Sequence, residues 1–229
     1  MGQLQVFSVI AALLAVTFGF GGPTTPPRGC VGEGLIVLAY GDSKTVPQVG
    51  ASNNQEIWQD FFERRGCSAK LNLGAGGSYK PGSIADNGIT TEERAATIAA
   101  DIAGVSRSPN VILYNLGSND AFFNDAEAVD EAAWKANLAT VWDAMHVAWP
   151  SAAIWYSETW RQGFDAESDR LATWYAAVAA GRSYVHLCDN ERDWVKGSDD
   201  GATMFWDGIH FSRAGAAEKA RRAAACLGF

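Results

Sequence analysis

The chain has 229 residues, 48% of them hydrophobic and 19% charged, with a formal net charge of −8. It is long and apolar enough to bury one full core, and little of it reads as disordered. The acidic balance and the absence of a basic stripe argue against nucleic acid as the main partner.

Val6 to Phe20 form an apolar stretch too short to span a bilayer comfortably. Gly21, Gly22 and the Pro-rich run 23–27 follow, as they would behind the hydrophobic region of a secretory signal peptide. No Lys or Arg precedes the stretch, and no A-x-A site follows it. Residues 1–29 are read as a signal-like segment and linker ahead of one folded domain, 30–229. The expectation is a secreted protein with no stable membrane span after processing. An uncleaved segment within a larger assembly is the alternative.

Leu35 to Tyr40 is a continuous apolar run, the pattern of a strand buried on both faces of a parallel sheet. Further strands are predicted over 69–73, 110–115, 152–157 and 183–188. Helices are predicted over 53–65, 91–104, 129–148, 167–180 and 213–226. This alternation indicates βαβ units, hence a parallel sheet with helices on both faces. Thr90-Thr91-Glu92-Glu93 offers a capping box, Pro150 closes the third helix, and Gly181 caps the fourth. The spacings of Cys30, Cys67, Cys188 and Cys226 match no zinc pattern. One disulfide among Cys30, Cys67 and Cys226 is compatible with this order, as are buried free thiols, and the pairing stays open.

In such a sheet every strand's carboxyl end lies on one edge. Four polar clusters fall there: Gly41-Asp42-Ser43, Asn72 to Gly77, Gly117-Ser118-Asn119-Asp120, and Asp207-Gly208-Ile209-His210. Ser43 is a candidate nucleophile and His210 a suitable general base for it. Asp207 shares a turn with His210 and can hold the ring in the productive tautomer. The Ser43 and Gly77 backbone N–H groups and the Asn119 amide can stabilise an oxyanion. A second D-x-x-H, Asp143 to His146, lies about 17 residues into the third helix, roughly 25 Å from that edge. His146 is therefore read as structural, and His186, inside the fifth strand, as a core or near-core residue.

Taken together, the four clusters resemble the SGNH, or GDSL-type, hydrolases, named for Ser, Gly, Asn and His in four sequence blocks. The match covers roughly residues 35 to 215. The resemblance implies a flavodoxin-like three-layer α/β/α sandwich with a five-stranded parallel sheet, and hydrolysis of acyl esters without metal or cofactor. It implies Ser43 as nucleophile, Asp207 and His210 as its triad partners, and Gly77 and Asn119 in the oxyanion hole. No Gly-x-Ser-x-Gly elbow is present.

Lys44 stands where the family usually has leucine; it reads as a snorkelling surface residue, or as a cation beside the acyl pocket that favours acidic substrates. Trp58, Trp134, Trp142 and Trp174 fall at helical positions and read as packing. Trp160 and Trp206 fall at the catalytic edge, where exposed rings stack on sugar faces or line an acyl pocket. The sequence thus predicts a serine esterase acting on a small acyl ester or acetylated glycan. A lipase or thioesterase of the same family, or a glycan-binding accessory module with a vestigial site, is the alternative. A mononucleotide-binding domain is disfavoured, because the Gly-rich run 74–77 lacks the Lys-Ser/Thr of a P-loop. Oligomeric state is not legible.

Overall fold

The computed structural model describes residues 36–45, 70–71, 83–85, 88–123, 130–195 and 204–228. The segment 1–29, the helix expected over 53–65, Trp58, Gly77, Cys30 and Cys67 lie outside them. Four strands form the body of one parallel sheet: β1 (Ile36–Gly41), β4 (Val111–Asn115), β5 (Ala153–Glu158) and β6 (Val185–Asn190). Beside β1 run two short pieces, β2 (Lys70–Leu71) and β3 (Ser83–Ala85), paired with its first and second halves respectively. The order is β2-β1-β4-β5-β6, with β3 sharing the position of β2, so the five expected sheet positions are filled.

Period-two alternation along the strands sorts their side chains into two layers. Leu38, Tyr40, Ile112, Tyr114, Ile154 and Tyr156 face one side, where they meet α1 (Thr91–Ala103), α3 (Glu131–Ala148) and α4 (Asp165–Ala179). That layer is aromatic: Trp142 is fully buried, with Tyr114 and Tyr156 ring centroids 5.7 and 5.3 Å away. Trp134 and Trp174 lie in the same core, as packing residues. Val37, Ala39, Val111 and Leu113 face the other side, against Ala216, Ala220, Ala223 and Ala224 of α6 (Arg213–Cys226). The small alanines let this helix lie close to the sheet. The result is a three-layer α/β/α sandwich.

Local signals explain where the helices start and stop. Thr90 accepts from the Glu93 N–H while the Glu93 carboxylate accepts from the Thr90 N–H, the expected capping box. Asp130 and Ser212 cap α3 and α6 with their side chains alone, accepting the N–H groups of Ala133 and Gly215. After α4 the cap is Ala180, and Gly181 takes the left-handed conformation one residue later (φ 83°). Two short helices were not foreseen, α2 (Ser118–Phe123) and α5 (Glu191–Val195).

Cys226 is bonded to Cys188, not to Cys30 or Cys67. Cys188 lies two residues after His186, whose ring packs on Trp155, so both project toward the α6 side of the edge strand β6. The last turn of α6 passes beside them. Among the described residues no helix is long and apolar enough to cross a membrane.

Candidate active site

Gly41 ends β1 where no side chain fits: a Cβ there would lie 2.3 Å from both the Asn115 carbonyl oxygen and Thr45 Oγ1. The chain then turns through Asp42 into a 3-10 turn, Ser43–Thr45. Asp42 is completely buried and organises this corner. One of its carboxylate oxygens accepts the Lys44 N–H (3.0 Å). The other accepts the Ser118 N–H (3.2 Å) and the Ser118 hydroxyl (2.7 Å). The turn carrying Ser43 is thereby fixed to the start of α2.

His210 arrives from the opposite direction, on a short hairpin. Phe205 and Phe211 form an antiparallel bridge at its base, and the Trp206 N–H donates to the His210 carbonyl (3.1 Å). Within it Asp207 Oδ1 accepts the N–H groups of Ile209 (3.0 Å) and His210 (2.7 Å). Asp207 Oδ2 lies 2.6 Å from His210 Nδ1, and His210 Nε2 lies 3.0 Å from Ser43 Oγ. An ionised carboxylate only accepts, so Nδ1 carries the proton and Nε2 is the acceptor facing the serine hydroxyl. Burial pushes Asp207 up, but hydrogen bonds from His210 and Ile209 outweigh it and hold the carboxyl below its ordinary range.

Asn119 occupies the first turn of α2, nearly buried, and one of its amide hydrogens is donated to the Ile89 carbonyl (2.9 Å). That anchor orients the amide and leaves its second N–H for another acceptor. Asp120 faces the other way: it accepts from Thr91 and from Trp134 Nε1 (3.0 Å) and joins α1 to α3. Gly77, expected to supply a further N–H, lies outside the described residues. His146 and His186 sit away from this cluster, stacked on Tyr184 and packed on Trp155 respectively.

Two expectations change. Lys44 is neither a snorkelling surface residue nor a cation in the acyl pocket: it is 3% exposed, and its ammonium is 2.6 Å from the Glu191 carboxylate. Trp160 is buried, its ring packed on Phe205 and its indole N–H given to Asp165 (2.7 Å), so it presents no stacking face. Trp206 is 44% exposed, with its ring 5.9 Å from that of His210, at the mouth of the site as expected. The supporting residues that sequence reasoning missed are Ser118 and the buried set Glu191, Lys219 and Asp189. Among the described residues no cluster of His, Cys, Asp or Glu has metal-ligating geometry.

The GDSL-like Lipase/Acylhydrolase family profile matches residues 39–218. No curated protein matches the chain by sequence. Solved structures share the fold at low identity. A lipase/acylhydrolase from Enterococcus faecalis gives a TM-score of 0.63 at 14% identity, covering 85% of this chain and 95% of its own. An acetyl xylan esterase, AlAXEase, gives 0.61 at 12% identity, covering 84% and 100%. A carbohydrate esterase family 3 protein from Talaromyces cellulolyticus gives 0.56 at 17% identity, covering 85% and 94%.

Proposed function

Because the chain belongs to the GDSL-like lipase/acylhydrolase family, we propose that it cleaves short acyl esters through Ser43, His210 and Asp207. The observation that carries this reading is the unbroken chain of contacts from Asp207 through His210 to the Ser43 hydroxyl, at 2.6 and 3.0 Å. Neutral His210 accepts the hydroxyl proton at Nε2 as Ser43 Oγ attacks the ester carbonyl carbon. Asp207 stabilises the imidazolium that results. The negative charge on the former carbonyl oxygen is met by the Ser43 backbone N–H and the Asn119 amide, with the Gly77 N–H as a third donor. Collapse expels the alcohol, which takes the proton from His210 and leaves an acyl-Ser43. Water, deprotonated by the same imidazole, then releases the acid and restores the serine.

The substrate we infer is an O-acetyl or similarly short ester, carried on carbohydrate. The exposed Trp206 ring beside His210 offers a flat apolar face at the mouth, suited to a sugar ring. The carbohydrate esterases among the structural neighbours point the same way. The Cys188–Cys226 bridge and the apolar stretch before the linker support export to an oxidising compartment. The reading is tested by turnover of chromogenic esters of increasing acyl length beside acetylated polysaccharides, with Ser43→Ala as control. Highest kcat/KM on acetyl, release of acetate from the glycan, and an inactive Ser43→Ala support it. A glycan-binding module with a vestigial site would bind the polysaccharide and release nothing.

A further inference from the structure

Lys44 directly follows Ser43, yet its side chain runs away from the reaction centre into the protein. Its ammonium donates to Glu191 Oε2 (2.6 Å) and to the backbone carbonyl of Trp160. Glu191 Oε2 in turn accepts the Trp160 N–H (3.1 Å). One ion pair thus holds both the donor and the acceptor of a single backbone residue, in the loop between β5 and α4. Two residues on, the Gln162 N–H donates to the Gly208 carbonyl (3.0 Å), inside the hairpin that carries Asp207 and His210. The same ammonium lies 5.1 Å from the Phe205 ring centroid and 5.6 Å from that of Phe211, the bridged pair at the hairpin's base. Behind the pair, Lys219 Nζ reaches Glu191 Oε1 and Asp189 Oδ2, both at 3.2 Å. Lys44, Glu191, Lys219 and Asp189 are all at least nine-tenths buried, and their charges sum to zero.

An ion pair this deep is a poor way to gain stability, because desolvation offsets most of the attraction and apolar residues often do better. A leucine at 44 would fill space but donate nothing to Trp160. What the lysine adds is direction. We propose that Lys44 is a positioning residue: its clamp on Trp160 and its seat against Phe205 and Phe211 fix the His210 hairpin relative to Ser43. The inference rests on the esterase reading of that site. Burial alone would raise Glu191, but Lys44 and Lys219 more than offset it and keep the carboxyl below its ordinary range.

The test is the second-order rate at which a serine-directed phosphonate inactivates full-length Lys44→Met, Lys44→Met/Glu191→Gln and Val178→Ala, alongside the melting temperature of each. Val178 is a buried core residue near the far end of α4 and controls for lost stability. Displacement of reacting groups by an ångström can reduce rate by about 100-fold, so Lys44→Met is expected to react at least about tenfold more slowly. Val178→Ala is expected to stay within about threefold of wild type, as a distant independent site. The double variant again has a balanced buried set, Lys219 with Asp189, so it regains melting temperature lost in Lys44→Met while its reaction stays slow. It also carries the test if Lys44→Met alone does not fold. Reactivity within about threefold of wild type in the double variant, or equal slowing in Val178→Ala, overturns the proposal. A wild-type protein that takes no adduct at all overturns the esterase reading itself, a separate result.

Discussion

The Ser118 hydroxyl donates to Asp42 Oδ2 at 2.7 Å, tying the turn that presents Ser43 to the helix that presents Asn119. Asp42 is fully buried, and burial pushes its carboxyl up against the pull of Lys44 and Ser118. The corner uses both of its carboxylate oxygens as acceptors, one for the Lys44 N–H and one for the Ser118 N–H and hydroxyl. Asp42→Asn replaces one acceptor with a donor, which faces either the Lys44 N–H or the two Ser118 donors. It is expected to destabilise by about 1–3 kcal/mol and to lower kcat with KM little changed. Denaturant midpoints and steady-state kinetics on a small acetyl ester check both.

Trp206 tests the substrate rather than the chemistry. Its exposed ring neighbours His210, and the proposed proton and acyl transfers use no atom of it. Trp206→Ala is expected to raise KM for an acetylated oligosaccharide about tenfold, equivalent to about 1.4 kcal/mol, while kcat/KM for a small chromogenic acetate stays near wild type. Equal loss on both substrates would assign the ring to the acyl side.

Glu158, at the end of β5, is 8% exposed, and burial followed by repulsion from Asp193 pushes it up to about 7. The folded state holds this proton more tightly than the unfolded chain. Its contribution is thus fully present below about pH 4 and is lost as pH rises through about 7. Glu158→Gln is expected to match wild type at pH 4 and to exceed it by about 1–3 kcal/mol at pH 8. Urea melts at the two pH values give the comparison.

The Cys188–Cys226 bond closes a separation of 38 residues between the edge strand and the final helix. Replacing both cysteines by serine is expected to lower stability by about 2–4 kcal/mol. The hairpin that carries His210 precedes α6 and is held by its own bridge, so kcat at 20 °C should be retained. Thermal melts and an esterase assay on the same preparation measure the two effects separately.

The parts of this fold legible in the sequence are those with local, periodic causes. The apolar run ending at Tyr40 read as a buried strand because Val37 to Tyr40 are covered on both faces, and Thr90 with Glu93 marked a helix start that the backbone uses. His210 was separable from His146 because strand and helix order placed one at the carboxyl edge and the other deep in α3. β3 was missed because three residues, Ser83–Ala85, are too few to carry a period. Lys44 was misread for a different reason: its partner Glu191 lies 147 residues away, and no local pattern announces a pairing of that kind. Trp160 shares this origin, since its burial follows from the clamp on its backbone and from Phe205 beyond the next strand and helix. Cys188 failed as a predicted partner because its facing on an edge strand depends on where α6 lands.

The central claim is that the Ser43 hydroxyl is the atom that reacts. Peptide mapping by mass spectrometry after exposure to a serine-directed phosphonate reads this directly. One adduct is expected, on the peptide containing Ser43, absent from Ser43→Ala and formed far more slowly in His210→Ala. An unmodified Ser43 in folded wild-type protein, or an adduct that persists in Ser43→Ala, would contradict the account.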